Sequence, residues 1–108
     1  MSKPARRIRT YDALLGDYIL GTFQASSKRL VVFQLLDTFD QLAPGQQERL
    51  VKGDRLTIYR REDDHAVTLP FGVWSRIAHA TYPNQRYNPK PFCQAKRDWL
   101  PTPEEPQK

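Results

Sequence analysis

Apolar residues recur along this chain with two periods and then lose any period. Tyr11, Leu14, Leu15, Tyr18 and Ile19 fall at i, i+3, i+4, i+7 and i+8, the stripe of one helix face. Thr10 stands before that stripe as an N-cap, Asp12 lies in the first turn, and Gly21 follows as a stop. The spacing therefore predicts a first helix. Ser26 and Ser27 offer a second N-cap, and Leu30, Phe33, Leu36 (or Leu35), Phe39 and Leu42 keep a step of three to four. A second helix from about Lys28 to Leu42 is predicted, although Leu30-Val31-Val32-Phe33 also suits a strand. Ala43-Pro44-Gly45 breaks the pattern, and Pro44 fits the first position of a short third helix through Val51.

After the turn Lys52-Gly53-Asp54 the period changes to two. Arg55 to Tyr59 and Ala66 to Leu69 alternate on either side of a polar loop that holds Glu62, Asp63 and Asp64. Two alternating runs joined in this way predict a β-hairpin. Phe71, Trp74, Ile77 and Ala78 then suit another helix, which Gly72 weakens. No internal repeat is visible. The expected fold class is α+β: a small single domain of two to three helices plus a β-hairpin. A basic arm (1–9) precedes the globular part (10–81), and a Pro/aromatic-rich segment (82–108) follows it.

That last segment holds six of the nine prolines, five of them between Pro83 and Pro103, so a helix cannot continue through Tyr82 to Phe92. Trp99-Leu100 is expected to dock on something, and the residues from Thr102 onward read as disordered. With 108 residues, of which 39% are apolar, the chain can bury one small core. The lone Cys93 rules out an internal disulfide framework. No apolar run reaches the ~20 residues of a membrane span, and Asp12 and Asp17 interrupt any signal-peptide pattern. A cytoplasmic protein without a membrane partner is expected.

Charge narrows the partner more than it narrows the fold. The net charge is +5, and residues 1–10 carry four cations and no acid. Such a protein attracts polyanions or an acidic protein surface; solubility alone would also account for the excess. Chemistry is harder to find. His65, His79 and Cys93 are each separated by 14 residues, unlike the close spacing of zinc ligands. Cys93 has no neighbouring histidine as a base, and Gly45, Gly53 and Gly72 are isolated rather than grouped in a phosphate loop. No catalytic residue, metal or cofactor is expected.

Three helices followed by a hairpin is the element order of a winged-helix domain, and it suggests a non-enzymatic, DNA-binding regulator. The candidate nucleic-acid contacts are Arg6, Arg7, Arg9, Lys28, Arg29, Gln46, Gln47, Arg49, Lys52 and Arg55. Gln and Arg can read base edges, and an arm of cations can track phosphates. The acidic hairpin loop speaks against a DNA-contacting wing. The alternative is an adaptor or inhibitor that binds a protein through Tyr82, Arg86, Tyr87, Phe92 and Trp99, since Tyr, Trp and Arg are enriched at interface hot spots. Against this, the same segment could wrap its own core. The composition permits a homodimer.

Overall fold

The computed structural model describes residues 7–100. Nine elements follow one another: β1 (Arg9–Leu15), β2 (Tyr18–Ala25), α1 (Lys28–Asp37), a 3-10 turn (Phe39–Gln41), α2 (Pro44–Val51), β3 (Arg55–Arg60), β4 (His65–Pro70), α3 (Phe71–Thr81) and α4 (Lys90–Trp99). The four strands form one antiparallel sheet in the order β2-β1-β3-β4. The fold is α+β, as expected, with four helices instead of two or three and two hairpins instead of one. The winged-helix element order does not hold.

The predicted first helix is the β1–β2 hairpin. Leu15 pairs with Tyr18, which leaves Gly16-Asp17 as a two-residue loop. Gly16 sits at φ +60°, a left-handed conformation that glycine adopts without strain. Within a helix the same glycine would cost about 1 kcal/mol. Strand spacing puts Tyr11, Ala13 and Leu15 on one face, and all three are buried. Asp12 then points to the opposite face rather than capping a helix.

The second helix forms almost as read. Ser27 is its N-cap and accepts from the Leu30 N–H at 3.3 Å. The helix ends at Asp37, and the chain tightens into the 3-10 turn around buried Phe39. α1 lays Val31, Val32, Leu35 and Leu36 against the sheet face that carries Tyr11, Ala13, Leu56 and Ile58. α3 adds Phe71, Trp74 and Ala78, and the Trp74 indole N–H donates to the Leu56 carbonyl at 2.7 Å.

α4 is absent from the sequence reading because its prolines read as breakers. Pro89 occupies the cap position and Pro91 the first turn, where no intrahelical N–H bond is lost. Phe92 then meets Phe39 and Phe71 edge-on, with ring centroids 4.9 and 5.5 Å away. The connection from α3 is strapped across α1. Tyr82 bonds Ser27 at 3.0 Å, and the Asn88 N–H donates to Asp37 at 2.7 Å. His79 Nδ1 lies 2.7 Å from the Ser75 carbonyl, which only accepts, so that nitrogen carries the proton. Nε2 then accepts from the Tyr87 hydroxyl at 2.9 Å. Tyr82, Tyr87, Phe92 and Trp99 all pack on the core. Among the described residues, no helix is long and apolar enough to cross a membrane.

On the open face, Asp12 is only 7% exposed. Arg61 grips it through Nε at 2.9 Å and Nη2 at 3.0 Å, and the Thr22 hydroxyl donates at 2.7 Å. The Arg61 hydrogen bonds hold its carboxyl below the usual carboxylate range. A lowered folded-state pKa supplies stability that is present above about pH 4 and is lost as the pH falls through the folded value. Asp12→Asn should therefore cost about 1–3 kcal/mol at pH 7 and show a flatter loss of stability below pH ~4, read by urea titrations across pH. An equal acid response in the two proteins would remove Asp12 as the source. Phe92→Ala should cost about 2–4 kcal/mol in the same assay; a change near zero would mean that α4 is dispensable.

Candidate nucleic-acid interface

Sheet register decides which cations meet. Arg9 pairs with Ala25, Tyr11 with Arg60, and Arg60 with His65. The start of β1, the end of β2, the end of β3 and the start of β4 therefore share one end of the sheet. α1 begins three residues beyond Ala25, so its first turn lies at that end too. Arg7, Arg9, Lys28, Arg29 and Arg60 converge there, where the basic arm joins the sheet.

Each cation has a distinct environment. Glu62 sits 3.1 Å from Arg7 Nη2 and 3.3 Å from Arg9 Nε, the latter without the alignment a hydrogen bond needs. Asp63 takes both forks of Arg60 at 2.8 Å, and this holds its own carboxyl well below the usual range. Asp64 accepts from the Tyr59 hydroxyl. The loop acids that spoke against DNA contact are thus engaged internally. Lys28 Nζ lies 2.7 Å from His65 Nδ1 and 5.9 Å above the Tyr11 ring. Desolvation lowers the Lys28 pKa, and the positive charges of Arg60, Arg9 and Arg29 lower it further. Arg29 is exposed and has no partner among the described residues. The first turn of α1 holds no acid, so nothing on that helix offsets the positive end of its dipole.

The remaining candidate contacts do not join this cluster. Gln46 accepts from the Ala43 N–H at 3.2 Å, and Gln47 donates to the Phe39 and Leu42 carbonyls at 3.0 Å. Arg49 pairs with Asp54 and Lys52 with Glu48, each at 2.6 Å. Arg55 begins the strand that Arg60 ends, roughly 16 Å away at about 3.3 Å per residue. Arg6 lies outside the described residues. Of the protein-binding candidates, Arg86 is exposed, whereas Tyr82, Tyr87, Phe92 and Trp99 are half-buried on their own core. Arg60 and His65 belong to the cluster and were not among the candidates; the only sequence signal was the Arg60-Arg61 pair ending a strand.

Among the described residues, no group of three or more His, Cys, Asp or Glu side chains is placed to hold a metal ion. No protein-family model, curated protein or solved structure matches this chain.

Glu62 restrains two arm cations without being buried. Glu62→Gln should free Arg7 and Arg9 and raise affinity for a polyanion such as heparin about two- to fivefold, measured by titration at low salt. Unchanged or weaker affinity would mean that these arginines do not face the polyanion.

Proposed function

We propose that this chain is a small non-enzymatic regulatory domain that binds DNA through the phosphate backbone at the basic end of its sheet. The observation that carries this reading is the convergence of Arg9, Lys28, Arg29 and Arg60 beside the point where the arm joins β1. Like charges gathered at the positive end of a helix raise the energy of the folded chain, and an anion placed among them lowers it. Phosphate contacts of this kind position a protein on a duplex without reading its sequence. Base readout by Gln46 and Gln47 is not part of the proposal, because their amides serve the backbone around α2.

Binding is tested by titrating a short fluorescent duplex at several salt concentrations. Lys28→Ala and Arg29→Ala should each weaken binding and lower the slope of log K against log salt by about 0.9. Arg49→Ala should leave both unchanged. A slope unaffected by Lys28 and Arg29 would displace the interface, and failure to bind any duplex at low salt would replace DNA by an acidic protein surface as the target.

A further inference from the structure

Behind the cationic rim lies a cavity of about 320 Å³. This is the small end of the range for ligand pockets, roughly 300–1,000 Å³, and suits a bicyclic ring or a short acyl chain. Its lining joins the cations Lys28, Arg29 and Arg60 to the half-buried aliphatic side chains of Val67, Leu69 and Ile77. Tyr11 and Trp74 border the space but are 0% and 3% exposed, so neither offers a ring face on which a nucleobase could stack. Most hydrogen-bonding groups of the lining are engaged: the Ser27 hydroxyl is bonded to Leu30 and Tyr82, the Trp74 N–H to Leu56 and His65 Nδ1 to Lys28, which leaves the Ser26 hydroxyl and His65 Nε2. Two groups are too few to meet the several polar edges of a base, whereas a hydrocarbon body needs none.

We infer that this cavity is a binding site for a small organic anion, an apolar body bearing one acidic group, held by Lys28 and Arg29 with its body against Val67, Leu69 and Ile77. Arg60 is already forked onto Asp63, whereas the Lys28 ammonium keeps two donors beyond its bond to His65 and Arg29 has no partner among the described residues, so Lys28 and Arg29 supply the recognition. The site shares Lys28 and Arg29 with the proposed phosphate contacts, but it does not rest on that reading and would exist if DNA binding failed.

The test uses the full chain with labelled methyl groups and no nucleic acid. It is titrated with 2-naphthoate and with octanoate, each beside its neutral amide. Both anions should shift the Val67, Leu69 and Ile77 methyl signals to saturation. Each amide should bind at least about tenfold more weakly, since a hydrogen bond to a charged group contributes about 1.5–3 kcal/mol. The double variant Lys28→Gln, Arg29→Gln should erase the preference for the anion and leave amide binding as it was. The proposal is overturned if neither anion moves these methyls, if the amides bind as tightly, or if the shifts spread over the surface without saturating. The comparison of acid with amide on the unaltered chain holds even if the double variant does not fold.

Discussion

Everything in this fold hangs on the pairing of β1 with β3. Each strand belongs to its own hairpin, and a two-stranded hairpin is marginal in water. Joined along Tyr11 to Leu14 and Thr57 to Arg60, the hairpins become one sheet with a face broad enough to carry helices. Asp12 and Arg61 bind across this seam, and the Arg61 N–H reaches the Thr10 carbonyl at 3.1 Å. A slip of one residue would turn Tyr11, Ala13 and Leu15 to solvent and bring Asp12 into the core. The ion pair and the apolar pattern therefore specify the same register.

The seam also reveals an order that the sequence hides. Strand, strand, helix, helix occurs twice, and the two first strands lie side by side in the middle of the sheet. α1 packs on α3 and α2 on α4, as a twofold relation between the halves would place them. No residue repeat accompanies this, so periodicity could not have found it. One half is closed by the short Gly16-Asp17 loop, the other by the longer turn around Asp64.

Local signals made some elements legible. Alternation around Arg60 to His65 marked the second hairpin, Ser27 marked the start of α1, and Pro44 the start of α2. The first hairpin was hidden because Leu14-Leu15 and Tyr18-Ile19 flank a two-residue loop symmetrically, which imitates helical spacing. Its real signature was Gly16-Asp17 between runs that alternate. α4 was hidden because the prolines of 89 and 91 were weighed as breakers and not as starters. The site was legible only in part. Arg9 and Lys28 could be suspected from charge, but their meeting with Arg60 depends on pairing between distant strands. Gln46 and Gln47 looked free only because their backbone partners could not be known beforehand.

The carboxylates of the β3–β4 loop give the basic end an unusual thermodynamic character. Glu62 and Asp63 act as built-in counterions for Arg7, Arg9 and Arg60. A polyanion reaching those arginines must displace a tethered carboxylate, so the contact it gains is offset by the one it breaks. Counterion release is what makes association with nucleic acids depend so steeply on salt. If the basic end binds nucleic acid, a cation that stays on its carboxylate makes no phosphate contact and adds nothing to that dependence. The response to ionic strength would be shallower than the number of basic side chains implies. Discrimination would then pass from the sum of charges to geometry: an acidic partner would have to present its groups where Glu62 and Asp63 already stand.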